Sequence, residues 1–147
     1  VVALAYALSG SRTGVEDLAQ DAFMAAFHEW ERIGRYSDPG GWVRRVVANR
    51  SVSAWRRRMA ELRALTRLGG ASRVQPTGLE PAGDELWSMV RRLPKRQAQV
   101  VALHYLEDRS VEDIAAVLEC STGSVKQHLF RARRTLARRL GEEGGES

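Results

Sequence analysis

Arginine is the residue type with the most evident chemistry in this sequence, and its spacing concentrates it in one segment. Between residues 39 and 67 there are eight arginines against the single acid Glu61, a local charge of +7. At about 100° per residue, five side chains of this segment share one narrow helical stripe: Arg45, Asn49, Arg56, Arg63 and Arg67. Guanidinium groups in such a row can bind successive phosphates, so the stripe predicts a track for a nucleic-acid backbone.

A second basic cluster occupies the C-terminal part of the chain. Between Ser121 and Leu140 there are six basic residues and no acid, and apolar residues at helical spacing predict one amphipathic helix there. The beginning of this helix is rich in hydroxyl, amide and basic groups, which read base edges in the DNA major groove. A helix capped by Ser110 and a tight turn at Cys120 precede it, which is helix-turn-helix spacing.

Residues that could support catalysis or bind a metal are few and unsuitably spaced. His28, His104 and His128 form no HExxH motif, and Cys120 is the only cysteine, so neither a zinc site nor an internal disulfide is predicted. No cluster of nucleophile, base and orienting group can be assembled, and no glycine-rich phosphate loop is present. The sequence therefore predicts a protein that is not an enzyme and needs no cofactor. Cys120 is predicted to fill a small apolar space in its turn.

The segment before the arginine-rich helix has the opposite charge. Between Val15 and Glu31 there are five acids and no Lys or Arg, a local charge of −5. Apolar residues recur along it at helical spacing and define a stripe that should face the core. They are Val15, Leu18, Ala19, Ala22, Ala26, Trp30 and Ile33. The pattern predicts one helix over residues 15–33, begun by a capping box of Thr13 and Glu16 and strongly acidic on one face.

Helical spacing continues along most of the 147 residues, and the alternation typical of strands is not sustained anywhere. The fold is therefore predicted to be all-α. Residues 68–83, above all GGASRVQPTGLEPAG from residue 69, have the composition of a flexible linker between two small helical domains, 1–67 and 84–140. Further helices are predicted over 41–68, 86–93, 94–106, 111–118 and 122–140, followed by a disordered tail over 141–147.

The overall charge narrows the class of partner. A net charge of +5 and a pI near 10.1 favour a polyanion, either nucleic acid or an anionic membrane surface. No apolar run approaches the roughly 20 residues needed to span a bilayer, and residues 1–8 lack the basic leader of a signal peptide. Together with the single cysteine, these features predict a cytoplasmic protein without membrane insertion.

Three segments resemble a known family. They are residues 16–23 (EDLAQDAF), 39–49 (PGGWVRRVVAN) and 110–115 (SVEDIA), the last followed by SVK at 124–126 and RAR at 131–133. In this order they resemble regions two and four of the extracytoplasmic-function sigma factors of the sigma-70 family, and within them the actinobacterial SigE-like group. The resemblance implies a factor that directs RNA polymerase to promoters, with region two in the first domain and region four in the second.

The resemblance also assigns roles to individual residues. It implies that the acidic helix docks on the clamp coiled coil of the polymerase β′ subunit through Asp17, Gln20, Asp21 and Met24. It implies that the melted minus-ten strand binds to Arg35, Tyr36, Ser37, Asp38, Trp42, Arg45, Asn49 and Arg56. It implies that the duplex minus-thirty-five element is read by Thr122, Ser124, Lys126, Gln127, Arg131 and Arg134. The polymerase β flap and an anti-sigma factor are further partners that it suggests.

Several of these residues have a simpler interpretation. Trp30 and Trp55 have apolar neighbours and are predicted to be core anchors, whereas Trp42 suits a core position and a base pocket equally. The run Arg56-Arg57-Arg58 is also compatible with a solvated helix face. For the whole chain, the alternative is a helix-turn-helix regulator that binds duplex DNA and has no polymerase-docking surface.

Two features depart from the family pattern. Region two usually begins a few turns before the position of Val1, so an incomplete first helix is predicted. Glu119 stands in the turn of the helix-turn-helix, where glycine is usual. A left-handed backbone at that position would strain a residue with a side chain.

Overall fold

The computed structural model describes residues 1–68 and 84–144, and all regular structure within these ranges is helical. The helices are α1 (Val2–Ser9), α2 (Val15–His28), α3 (Trp30–Ile33), α4 (Pro39–Arg67), α5 (Asp84–Arg91), α6 (Lys95–Tyr105), α7 (Val111–Leu118) and α8 (Thr122–Gly144). The all-α prediction is confirmed. The predicted linker, apart from Leu68, and residues 145–147 lie outside the described residues.

The acidic segment forms two helices, so the prediction of one helix over 15–33 is wrong at Glu29. That residue adopts φ −101° and ψ 12°, which separates α2 from the single turn of α3. The break leaves Ile33 fully buried and turns Trp30 outward, where 56% of its surface is exposed. The expectation that Trp30 anchors the core is therefore wrong.

The start of α2 also differs from the prediction. The helix begins at Val15, and its N-cap is Gly14 in a left-handed conformation (φ 88°) that makes no side-chain capping bond. The predicted capping box of Thr13 and Glu16 is therefore wrong. A glycine adopts positive φ without the steric cost of a Cβ, so here the backbone turn alone starts the helix.

Helix α4 runs without interruption from Pro39 to Arg67. The predicted basic stripe needs such an unbroken helix to lie on one face. The Asp38 carboxylate accepts a hydrogen bond from the Gly41 backbone N–H (3.0 Å), and Pro39 occupies the first turn, where a missing N–H costs nothing. Its apolar face buries Val43, Val47 and Val52 against α1 and α2. The opposite faces of α4 are left for the arginines.

The C-terminal helices form the predicted helix-turn-helix. The Ser110 hydroxyl caps α7 by accepting from the Asp113 N–H (3.1 Å), and the turn after α7 passes through Glu119 in the left-handed region (φ 56°). Helix α8 buries Val125, Leu129 and Ala132. It continues through Gly144, so the disordered tail predicted from residue 141 is wrong as far as Gly144.

The N-terminal block (α1–α4) and the C-terminal block (α5–α8) pack directly on each other. Helix α1 lies against α5 and α6, and α4 lies against α6 and α7, so one buried apolar cluster continues through both blocks. An arginine reinforces the contact: Arg91 Nη1 of α5 donates to the Ala7 carbonyl of α1 (2.9 Å). Within the N-terminal block, Arg58 of α4 donates to the carbonyl of Ser9 in α1. Burial, and then the proximity of Arg91, lower the pKa of Arg58 from its ordinary value.

Candidate nucleic-acid interface

The loop before α4, the first turns of α4 and the C-terminal end of α7 together line a cavity of about 190 Å³. Its lining includes Tyr36, Ser37, Trp42 and Arg45, all of them predicted minus-ten residues. Tyr36 and Ser37 are exposed and Trp42 is half-buried. An aromatic wall beside hydroxyl groups and a guanidinium is a suitable environment for a single nucleobase, because it offers both stacking and hydrogen bonds.

The other two predicted minus-ten residues of the loop, Asp38 and Arg35, are placed differently relative to the cavity. The Asp38 carboxylate lines the same cavity, but it also caps α4, so a structural role accounts for this residue type at this position. Arg35 is exposed just outside the cavity lining. Its guanidinium is therefore better placed for a phosphate than for a base.

Further along α4 the basic stripe divides into a covered part and an open part. Arg45 forms an ion pair with Glu119, and the Asn49 Oδ1 accepts a hydrogen bond from Gln99 Nε2 (2.9 Å). Both partners belong to the C-terminal block. Arg56 lies on the open part and is exposed, as are Arg63 and Arg67.

The N-terminal half of α8 projects a polar and basic surface away from the core. Most of the predicted minus-thirty-five residues are exposed, with Ser124 half-buried: Thr122, Ser124, Lys126, Gln127, Arg131 and Arg134. Partial burial, and secondarily the Arg131 and Arg96 guanidinium groups, lower the pKa of His128 from its ordinary value. The lowered pKa favours the neutral form of the His128 ring.

The acidic face of α2 is open to solvent. Asp17, Gln20 and Asp21 are exposed, and Asp21 lies 3.7 Å from Arg50 in a loose surface ion pair. Large apolar side chains lie among these acids. They are Phe23 (55% exposed), Met24 (50%), Phe27 (75%) and Trp30 (56%). We call this set, with Asp17, Gln20 and Asp21, the acidic-aromatic face.

Sequence reasoning found Met24 in this face but missed Phe23 and Phe27. Their spacing could have predicted that they are exposed, because Phe23 and Phe27 fall between the positions of the buried stripe at Ala19, Ala22 and Ala26. Contiguous exposed apolar side chains of this kind are typical of interaction surfaces.

In residues 1–68 and 84–144 no group of His, Cys, Asp and Glu side chains has the arrangement of a metal site. Cys120 is a free, half-buried thiol that packs against the core from the turn. None of the helices in these ranges combines the length and apolar composition of a membrane span.

Comparison with family models finds two matches, one in each block. The model for "Sigma-70 region 2" matches residues 1–61, and that for "Sigma-70, region 4" matches residues 83–136. The chain belongs to the sigma-70 family. The resemblance found in the sequence motifs is therefore confirmed, and residues 1–61 and 83–136 of this chain correspond to regions two and four.

Relatives of this chain include RNA polymerase sigma-E factors and sigma factors of the extracytoplasmic-function (ECF) group. It is 32% identical over 117 residues to the RNA polymerase sigma-E factor of Streptomyces avermitilis, covering 80% of this chain and 65% of the relative. The sigma-E factor of Streptomyces coelicolor is 31% identical over 117 residues, covering 80% and 66%. The ECF sigma factor SigE of Mycolicibacterium smegmatis is 28% identical over 158 residues, covering 100% and 60%. The chain thus spans about two thirds or less of these relatives.

A solved structure has the same fold. The sigma factor RpoE of Bartonella quintana, crystallised in complex with the anti-sigma factor NepR, superposes with a TM-score of 0.70 at 25% sequence identity. The match covers 95% of this chain and 89% of that one. It therefore includes helices from both blocks.

Proposed function

We propose that this sigma factor binds core RNA polymerase in the cytoplasm, recognises the minus-ten and minus-thirty-five promoter elements and promotes transcription initiation, without catalysing a reaction. The observation that carries the proposal is the presence of oppositely charged surfaces on one small chain. Helix α2 presents the acidic-aromatic face, while α4 and α8 present arginines. A protein that only bound DNA would gain nothing from the acidic face, since it repels phosphate.

The acidic-aromatic face is the proposed docking surface for the clamp coiled coil of β′. Asp17 and Asp21 supply charge, and Phe23, Met24 and Phe27 supply apolar area that a partner would bury. Interfaces of this kind combine a buried aromatic centre with a charged rim. The β flap is the proposed contact of the C-terminal block, which also presents the exposed Phe130.

The loop and α4 are the proposed minus-ten surface, and α8 is the proposed minus-thirty-five surface. Tyr36 and Trp42 border a cavity that could accept an extruded base, and Arg56 on the same helix is free to contact the backbone. On α8, Gln127 and Arg131 are exposed, and the proposal assigns them to base edges, which a recognition helix contacts with its N-terminal residues. An anti-sigma factor is a further proposed partner, by analogy with the NepR complex of the structural relative.

Run-off transcription with purified core polymerase tests this proposal. Core enzyme alone should give only nonspecific transcripts from a library of genomic fragments, and adding the full chain should produce transcripts with discrete 5′ ends. Transcripts that do not change on addition of the chain would favour the helix-turn-helix regulator.

Substitutions in α8 should separate base readout from phosphate binding. Gln127→Ala and Arg131→Ala should each reduce discrimination between minus-thirty-five sequences by about 1 to 3 kcal/mol, the value of a good base contact. Arg138→Ala, farther along the helix, should weaken all duplexes alike and flatten the salt dependence. Binding titrations with duplexes of different sequence at two salt concentrations measure both effects. Equal loss of specificity in all three variants would contradict this assignment.

Trp42 should account for a preference of the chain for single-stranded over duplex DNA. A single strand offers unstacked bases, and stacking one on an aromatic side chain is worth about 1 to 3 kcal/mol. Trp42→Ala should therefore lower affinity for the single strand more than for the duplex. The control Arg56→Ala should weaken both forms and reduce both salt slopes, because it removes only a phosphate contact.

Fluorescence anisotropy with labelled single and double strands measures this preference. Circular dichroism of each variant shows whether the half-buried Trp42 also supports the fold. A folded Trp42→Ala protein with an unchanged preference would assign the indole to the core.

A further inference from the structure

The inference concerns a second cavity, which lies between the two blocks. It has a volume of about 310 Å³ and is found where the end of α1 and the C-terminal half of α4 meet α5. Trp55, Met59 and Leu62 of α4 form its apolar wall. All three residues are half-buried, so the wall is reachable from solvent. None of the residues that line this cavity belongs to the proposed DNA or polymerase surfaces.

Arginines surround the same cavity. Its lining includes Arg58 of α4, Arg91 of α5 and Arg92 just after it, whereas no acidic side chain of the described ranges contributes to it. A neighbouring cavity at the same junction adds Arg56 and Arg63, and its described lining also contains no acid. Like charges at this density repel one another, so an anion placed among them is stabilised.

The Arg58 guanidinium keeps most of its hydrogen-bonding capacity. It donates to the Ser9 carbonyl and forms no ion pair with any described residue. A guanidinium has five N–H donors, so further donors are left for a ligand. The lowered pKa of Arg58 has burial as its first cause and the charge of Arg91 as its second. A negative group beside Arg58 would offset that repulsion.

The volume and the apolar wall define the rest of the ligand. An apolar cavity of about 150 Å³ holds a benzene molecule, so a cavity about twice that size has room for an aliphatic chain of about eight carbons. Small-molecule sites combine an apolar wall of this kind with a few polar groups that fix the orientation of the ligand. The half-buried Ser88 on α5 adds a hydroxyl to the arginines.

We propose that this cavity binds a medium-chain carboxylate, with its head group at Arg58 and Arg92 and its tail along Trp55 and Met59. A carboxylate is suited to the head-group position because it accepts two parallel hydrogen bonds from one guanidinium. The ligand would contact α4 of the N-terminal block and α5 of the C-terminal block at once. Since the cavity exists only in the folded chain, bound carboxylate stabilises the fold.

Isothermal titration calorimetry of the full chain with sodium octanoate, below the concentration at which it forms micelles, tests the proposal. One octanoate should bind per chain. Affinity should rise about fourfold for each methylene added between hexanoate and octanoate, because each one removes a similar apolar area from water. Acetate, which lacks the tail, and 1-octanol, which lacks the charge, should both bind more weakly than octanoate. Octanoate should also raise the melting temperature of the chain.

Substitutions at the arginines test the position of the head group. Arg58→Gln should weaken octanoate binding by about tenfold or more, as expected for the loss of a hydrogen bond to a charged group. Arg92→Gln, at an exposed residue, should weaken it by about two- to fivefold. Arg57→Gln is the matched control, because it removes the same charge from an exposed position of α4 outside the cavity lining, and it should bind like the parent.

Circular dichroism of each variant checks the fold, since Arg58→Gln also loses the hydrogen bond to Ser9. Arg92 forms no ion pair with any described residue, so Arg92→Gln tests the proposal even if Arg58→Gln does not fold.

Other outcomes overturn the proposal in distinguishable ways. Equal weakening by Arg57→Gln would mean that octanoate responds only to the overall charge of the chain. Binding of many octanoates per chain without saturation would mean detergent-like association with exposed apolar side chains. A parent chain that sediments as a dimer, with Arg92→Gln monomeric, would assign the cavity to a second copy. Absence of binding would overturn the site itself. Each result leaves the proposed function to be judged separately, by run-off transcription.

Discussion

The double substitution Asp17→Lys and Asp21→Lys is expected to weaken binding to core polymerase by more than about a hundredfold. The proposed partner is the clamp coiled coil of β′, which the family resemblance implies is basic. Like charges facing each other across an interface cost several kcal/mol. Each 1.4 kcal/mol corresponds to about a factor of ten. Both carboxylates are exposed and project from the acidic-aromatic face. A binding assay with labelled core enzyme measures the loss.

The fold should tolerate these changes. Asp17 makes no ion pair with any described residue, and the Asp21 pair with Arg50 spans 3.7 Å at the surface, where such pairs contribute about 0 to 1 kcal/mol. Glu31→Lys on α3, outside the docking residues, is the control for the single substitutions Asp17→Lys and Asp21→Lys, because each of the three makes the same change of charge. If Glu31→Lys weakens core binding as much as each aspartate does, only the general charge of the segment matters, and the residue-level assignment is wrong.

The aromatic side chains of the acidic-aromatic face should add an apolar contribution to core binding that charge alone does not provide. Phe27→Ala removes the most exposed of them, at 75% exposure, and should have little effect on folding. Its loss should weaken core binding by about 1 kcal/mol or more if it enters a pocket on the partner. A measurable loss that persists at high salt would identify an apolar contact, since salt screens charges and not apolar area.

Local signals explain why so much of the fold could be predicted from the sequence. Helices α4 and α7 begin at caps that are readable as residue types, Asp38 with Pro39 and Ser110 respectively. Apolar residues at helical spacing fixed the buried faces of α2 and α8. These features depend on residues three or four positions apart, which periodicity detects directly.

Features that depend on long-range packing could not be predicted in the same way. No proline or glycine marks the break between α2 and α3 at Glu29. This break leaves Trp30 exposed. The contact between the blocks joins residues 50 or more positions apart, such as Asn49 and Gln99. Nothing in local spacing predicts that two groups of the proposed DNA surface are occupied by the chain itself.

The second large expected effect is a loss of stability when the packing between the blocks is weakened. Leu103→Ala should lower the free energy of unfolding by about 2 to 5 kcal/mol, because the side chain is completely buried and the neighbouring helices cannot fully close the cavity. Leu106→Ala is the matched control, just beyond the end of α6 and 36% exposed, and should cost clearly less. Urea denaturation followed by circular dichroism measures both.

The shape of the unfolding transition tests how far the shared core couples the blocks. Helix α6 carries Leu103 and packs against α1 and α4 as well as α7 and α8, so a cavity there weakens both blocks together. We therefore expect one transition in the parent and in Leu103→Ala, displaced to lower urea in the variant. Two separate transitions, with only one displaced, would show that each block folds by itself. The packing of the two blocks on each other would then be a weak docking, and the stability of the N-terminal block would not depend on Leu103.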